Sequence, residues 1–293
     1  MTAAVALVKT LRPRQWVKNL LFVAAPLVFA QRLTDVPSLV RSAIAVLAFC
    51  ALSGAVYAFN DVRDVEADRA HPTKRSRPIA AGALSERTAL IAAVVLATGA
   101  ITACALLNWE TAALAAGYLV QNIAYSVGLK RVAFVDVALI ANGFLLRVLA
   151  GATAIAVPAS TWLLVCTTLL AMFLGFGKRA HELAWSQRTG ETATRASLAG
   201  YRLPVIHVAM LVLGVVTCIA YVAYTLDPRT VGEFKTDKLV WSSPFVALGL
   251  LRFLFLSLYR PSEDSPTEAM LKDPWVLADL AGAVATVLYV IYR

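Results

Sequence analysis

Charge is what this 293-residue chain has least of: Asp, Glu, Lys and Arg make up 15% of it, against 59% hydrophobic residues. Soluble domains carry about 25% charged residues, so a water-soluble globular fold is excluded. The chain reads as an all-α integral membrane protein. Histidine is scarce as well, and no Ser-His-Asp-like arrangement can be drawn from three scattered residues. Chemistry that needs a side-chain general base is therefore not what the sequence offers. The four cysteines, Cys50, Cys104, Cys166 and Cys218, each sit inside a different apolar run with no CxxC spacing. They read as buried thiols, without disulfide or metal roles. No small-residue cleavage site follows the first apolar run, so the N-terminus is read as retained. The longest polar stretch, residues 178 to 203, is too short for a soluble domain of its own.

What the chain has in quantity is apolar runs. A bilayer core about 30 Å thick takes roughly 20 residues of helix. On that ruler nine spans are expected, near 19 to 33, 39 to 59, 88 to 107, 110 to 128, 133 to 156, 160 to 177, 204 to 226, 239 to 259 and 275 to 292, forming one domain over 1 to 293. The second, LVRSAIAVLAFCALSGAVYAF, is rich in Ala and Gly, which lets neighbouring helices approach closely in lipid. Pro26 is expected to kink the first.

Most of the 27 Lys and Arg residues collect on one side of such a bundle. Lys9, Arg12, Arg14 and Lys18 precede the first span, and the others follow at 60 to 87, 129 to 132, 178 to 203 and 260 to 274. The positive-inside rule places these segments and the N-terminus in the cytoplasm and the C-terminus outside, with an active-site cavity opening at the cytoplasmic face of the cell membrane. Residues 1 to 18 are expected to lie at the interface as a basic amphipathic segment. The net charge of +9 then has two readings: it orients the protein against anionic membrane lipid, or it meets a multiply anionic substrate. A nucleic-acid partner is not expected.

Directly after the second span comes FNDVRDVEADRAHPTKRSRPIAAG, residues 59 to 82. Continued as helix, Asp61, Asp64 and Asp68 fall within about 60° of one another, and Glu66 falls on the far side. Carboxylates stacked this way repel, and the helix holds only if something neutralises them. Mg²⁺ takes oxygen ligands and commonly bridges carboxylates to phosphates, which makes Asp61, Asp64 and Asp68, assisted by Asn60, candidate metal ligands. His71, Lys74, Arg75 and Arg77 follow in one loop stiffened by Pro72 and Pro78 and turned at Gly82. Arginine forks grip phosphate oxygens and lysine adds a point charge. Together they describe a site for a metal diphosphate, with Asp61, Asp64, Lys74 and Arg75 as its catalytic set and Arg77 on phosphate. The plainer reading is a solvated helix end whose Asp and Arg side chains satisfy each other.

The pattern NDxxDxxxD followed by RxRP resembles the first aspartate-rich motif of the UbiA-type intramembrane prenyltransferase superfamily. The resemblance extends over essentially the whole chain, through the nine spans and YSVGLKR at Tyr125 to Arg131. It implies a donor diphosphate held through Mg²⁺ and ionised to a carbocation that an acceptor attacks. The superfamily usually carries a second DxxxD motif after span six. Here that segment reads GFGKRAHELAWSQRTGETATRASLAGYR and contains no aspartate. Glu182 is the nearest substitute ligand, and Glu191 a weaker one.

In place of aspartates this segment has Lys178, Arg179, His181, Arg188, Arg195, Ser197, Tyr201 and Arg202, a set suited to additional phosphate. RPRQWVKN at Arg12 to Asn19, GFLLRVLAG, GKRAHEL and RASLAGY are similar to one branch, the decaprenyl-phosphate phosphoribosyltransferases. That resemblance implies 5-phosphoribose 1-diphosphate (PRPP) as donor, a polyprenyl phosphate such as decaprenyl phosphate as acceptor, and a product that feeds cell-wall arabinan. Lys178, Arg179, His181 and Arg195 are then candidates for the 5-phosphate or the acceptor phosphate, with Arg188 and Tyr201 beside them. Tyr125, Lys130, Arg131 and Lys18 are candidates for the rim. Lys130 and Arg131 also serve as topology signals, and Lys18 and Arg14 as interface anchors.

Asp136, Asn142 and Arg147 fall in or at the edge of span five, where burying a charge is costly. Asp136 and Arg147 are about 16 Å apart along a helix, so each needs another partner. His207 reads as packed or interfacial. Two competing functions remain: a prenyltransferase with an aromatic acceptor, which the Asp-free segment disfavours, and an anion transporter, for which no inverted repeat is visible. Polyprenyl length and association with further copies are left open.

Overall fold

The computed structural model describes residues 2–189, 196–259, 269–270 and 272–293, and among these every regular element is helical. Among the described residues seven helices are long and apolar enough to cross a membrane: Val36–Arg63, Glu86–Leu107, Val135–Ala154, Thr161–Arg188, Leu203–Leu226, Lys238–Tyr259 and Pro274–Tyr292. Their outward faces are apolar. On Leu203–Leu226, for example, Val208, Leu211, Val215 and Ile219 are exposed, as lipid-facing residues are.

The other two expected spans take different forms. Residues 17–29 make two short helices, α2 (Val17–Val23) and α3 (Ala25–Phe29), broken at Ala24, with Pro26 in the first turn of α3. Proline is tolerated there because a first-turn N–H has no helical partner, so the expected kink is a helix break. Trp109–Val127 is one helix of 19 residues carrying Glu110, Gln121 and Asn122.

The helices gather into two compact units, Met1–Leu129 with Leu145–Ala159, and Lys130–Phe144 with Ser160–Arg293. In the first unit α1 (Ala3–Thr10) packs Ala6 against Val65, Ile79 and Leu84, so one side of the N-terminal segment is buried. At the centre stands α4 (Val36–Arg63), in contact with α2, α6 (Glu86–Leu107) and α7 (Trp109–Val127). It starts where the Asp35 side chain accepts from Ser38 N at 3.3 Å, with Pro37 in its first turn. Phe49 and Leu52 of α4 form a core with Tyr118 and Cys104, and with Ala150 of α8 (Val135–Ala154). A single residue joins α6 to α7: Asn108 caps α7 by accepting from Thr111 N at 2.7 Å and donates to Thr153 O at 2.7 Å. Arg41 donates to the last carbonyls of two helices, Leu107 at 3.0 Å and Ala154 at 2.7 Å, which have no helical donor of their own.

The second unit is organised by α9 (Thr161–Thr189) against α10 (Leu203–Leu226) and α12 (Ser243–Tyr259), the latter two separated by α11 (Pro228–Phe234). Phe173 and Phe253 meet at 5.3 Å between ring centroids, with Met210 beside them. The chain closes with α13 (Pro274–Tyr292), capped by Asp273. Helix α9 does not stop at 177, where its apolar run ends: KRAHELAWSQRT holds no Gly or Pro and continues as helix to Thr189. Lys178, Arg179, His181, Glu182 and Arg188 therefore stand on a helix rather than in a loop.

Candidate active site

Helix α4 runs about one turn past its apolar run to Arg63, bends at Asp64, and resumes as α5 (Val65–Ala70), with Asp68 N still bonded to Asp64 O at 2.8 Å. The expected helical face therefore survives a one-residue interruption. Asp61 and Asp68 turn inward and are buried, Asp64 is half-buried, and Glu66 points outward and pairs with Arg69 at 2.6 Å. The buried pair is bridged by one nitrogen: Arg77 Nη1 lies 3.1 Å from Asp61 Oδ1 and 2.7 Å from Asp68 Oδ2. The loop carrying Arg77 is built on His71, whose Nδ1 accepts from Thr73 N at 3.3 Å, and on a short turn, Lys74–Ser76. Lys74 is half-buried there and Arg75 is exposed.

A second cation arrives from far up the chain. Arg12 Nη2 lies 2.5 Å from Asp61 Oδ1, and its guanidinium stacks over the Tyr57 ring at 4.8 Å. Its backbone is left-handed, at φ 52°, an uncommon conformation for a side-chain-bearing residue that reverses the chain just before Pro13. The segment that follows is sunk into the unit. Asn19 is fully buried and accepts from Arg147 Nε at 2.7 Å; Arg147 Nη2 also donates to Tyr118 OH at 2.7 Å, with the guanidinium over the Tyr118 ring at 4.6 Å. Ser53 completes this node, 3.1 Å from Asn19 Nδ2. Arg147 thus has partners within the bundle, as its distance from Asp136 requires.

Helix α2 crosses α8 at Gly151, where an added Cβ would lie 1.9 Å from Val23 O. Gly151→Ala forces backbone apart from backbone and should cost about 1–3 kcal/mol, read as a lower melting temperature of the detergent-purified protein. Gly99→Ala, inside α6 with nothing within 4 Å of its Cβ, should not lower the melt and should raise it slightly.

The second unit holds its own buried polar node. Asp136 and Arg179 are both fully buried, with Arg179 Nε 3.2 Å from Asp136 Oδ2; Arg179 Nη1 also bonds Glu182. Tyr201 OH donates to Asp136 Oδ1 at 2.6 Å and accepts from Phe134 N at 2.7 Å, while Ser197 Oγ donates to Asp136 Oδ2 at 3.2 Å. Burial, then the bond to Asp136, pushes the Tyr201 phenol well above its ordinary pKa, so it remains a donor across the physiological range. Arg179, Tyr201 and Glu182, read from the sequence as phosphate or metal ligands, are here engaged with one another and with Asp136. His181 is buried beside them, Lys178 is half-buried and Arg188 exposed. Lys18, Tyr125 and Lys130 are half-buried, Arg131 is exposed, and Arg195 lies outside the described residues.

Among the described residues no three His, Cys, Asp or Glu side chains stand within reach of one metal. The donor set of the first node nevertheless suits a hard cation, because two buried carboxylates already converge on a single positive nitrogen.

Residues 20–272 match the UbiA prenyltransferase family, and the chain belongs to it: it is a multi-pass membrane protein of that family. It is 41% identical over 200 residues, 67% of this chain, to a decaprenyl-phosphate phosphoribosyltransferase of Mycolicibacterium smegmatis. The aligned part spans 62% of the length of that relative. A protein of the same name from Corynebacterium glutamicum is 36% identical over 239 residues, covering 80% of this chain and 70% of its own length. Among solved structures, a UbiA homolog from Archaeoglobus fulgidus bound to GPP and Mg²⁺ shares the fold, with a TM-score of 0.74 over 98% of this chain and 100% of that one, at 18% identity.

Proposed function

We propose that the chain is a Mg²⁺-dependent pentosyltransferase that moves the 5-phosphoribosyl group of PRPP onto decaprenyl phosphate, releases diphosphate, and supplies arabinan synthesis. The observation that carries this reading is the convergence of Asp61 and Asp68 on Arg77; likeness to the decaprenyl-phosphate phosphoribosyltransferases supplies the donor and acceptor. When bound, Mg²⁺ withdraws charge from the diphosphate and makes it a better leaving group. Asp61 and Asp68 would hold it, with Asp64 and Asn60 adjoining, and Lys74 and Arg75 would take up charge on the departing oxygens. The C1–O bond to diphosphate breaks, its electron pair leaving with the diphosphate, as an acceptor phosphate oxygen bonds C1 from the opposite face. That nucleophile is already an anion, so no base is required. Inversion at C1 follows.

In the second unit, Lys178 and Arg188 supply positive charge, and His181 a ring nitrogen, toward further phosphate groups. Nine crossings, a cytoplasmic N-terminus and a cytoplasmic catalytic face in the cell membrane accord with the distribution of Lys and Arg.

Purified full chain in detergent with Mg²⁺ should convert PRPP and a polyprenyl phosphate into a new lipid, and should make nothing from a polyprenyl diphosphate and an aromatic acid. EDTA should abolish the product and excess Mg²⁺ restore it. A product only in the second mixture, or accumulation of intact PRPP inside liposomes with no new lipid, overturns the reading.

A further inference from the structure

Two guanidinium groups meet at one oxygen. Arg12 Nη2 and Arg77 Nη1 both reach Asp61 Oδ1, at 2.5 and 3.1 Å. Like charges this close repel, and only the carboxylate between them holds them together. The acids are enclosed and the bases are not: the side chains of Asp61 and Asp68 expose 3% and 6% of their surface, those of Arg12 and Arg77 30% and 27%. The carboxylates thus form the enclosed part of the node, and each arginine is open to solvent over part of its surface. Arg12 has a second resting surface in the Tyr57 ring, over which its guanidinium is already stacked.

Buried carboxylates without a counter-charge are costly, so this pair needs cations before any metal or substrate arrives. The fork that matches a carboxylate matches phosphate oxygens equally well. We infer that Arg12 and Arg77 are exchangeable counter-cations: they neutralise Asp61 and Asp68 in the metal-free protein, yield the carboxylates to Mg²⁺, and pass to the oxygens of the diphosphate that arrives with it. This rests on the metal-diphosphate reading above and adds two things to it. Arg12, 49 residues from Asp61, belongs to the site, and Arg77 serves two partners in succession.

Exchange predicts opposite signs for two affinities. In the detergent-purified full chain, Arg77→Gln removes a competitor for the carboxylates, so Mn²⁺ binding without diphosphate, followed by the electron paramagnetic resonance of free Mn²⁺, should tighten about tenfold. The same variant loses a phosphate ligand, so pyrophosphate binding at saturating Mg²⁺, followed by calorimetry, should weaken about tenfold. Arg12→Gln should move both in the same directions. Arg77→Lys keeps a cation without the fork and serves if the glutamine variant does not fold: Mn²⁺ affinity should stay near wild type while pyrophosphate weakens. Variants that weaken both affinities, or change neither, would mean that the arginines only brace the carboxylates, and the inference falls. The wild-type titrations test the underlying reading separately: a parent protein that binds neither Mn²⁺ nor pyrophosphate overturns the metal-diphosphate site itself.

Discussion

Asp61→Asn should reduce transfer by about 10²- to 10³-fold, the usual consequence of removing one preorganised charge from a reacting centre. Asparagine keeps the shape of the side chain and one carbonyl acceptor, so only the charge is lost. That charge is the point to which Arg12 and Arg77 both bond, and its loss removes the proposed metal ligand and the anchor of two cations together. Stability should change less than turnover, because both arginines are partly exposed and can turn to water when Asp61 no longer holds them. A melting curve near that of the parent, beside turnover reduced by at least a hundredfold, is the expected pair of results. Turnover within tenfold of the parent would remove Asp61 from the chemistry.

The largest loss of stability is expected elsewhere, at Asp136. Its carboxylate faces a fully buried guanidinium, and removing one partner of such a pair costs about 3–5 kcal/mol because the other charge is stranded. Glu182 shares Arg179 and is half-buried, so it retains part of the compensation. Asp136→Ala also leaves Tyr201 OH and Ser197 Oγ without their acceptor. The variant should melt far below the parent in detergent. Asp136→Ala combined with Arg179→Met should recover much of the difference, since exchanging a whole buried pair for apolar groups is often near neutral. A single variant that melts with the parent would show that Asp136 does not carry the Arg179 charge.

The first node is legible in the sequence, and of the second only the separate residues are. The inward face of Asp61 and Asp68 and the outward turn of Glu66 follow from helical period alone, and the α4–α5 bend leaves them unchanged. Arg77 was identified as a cation of the site, and its place between two aspartates combines the metal-site reading with the plainer one of mutual satisfaction. Arg12 was not individually singled out, although it stands in the quoted RPRQWVKN. No local period links a residue to a partner 49 positions away, and the left-handed turn that aims it is invisible in composition. From the sequence Arg179 is a loop cation open to phosphate, because counting apolar residues marks where a membrane face ends, not where a helix ends. Once α9 continues to Thr189, its inner side carries Arg179 to Asp136. The first span was legible as apolar and not as two helices, since Asn19 and Val23 are buried by contacts with Arg147 and Gly151, far along the chain.

The one-residue turn at Asn108 leaves no slack between α6 and α7. Arg41 of α4 bonds the carbonyl of Leu107 at this tip and that of Ala154 at the end of α8. One side chain from an early helix thus ties down the ends of two later ones, and Arg41→Ala would loosen both together.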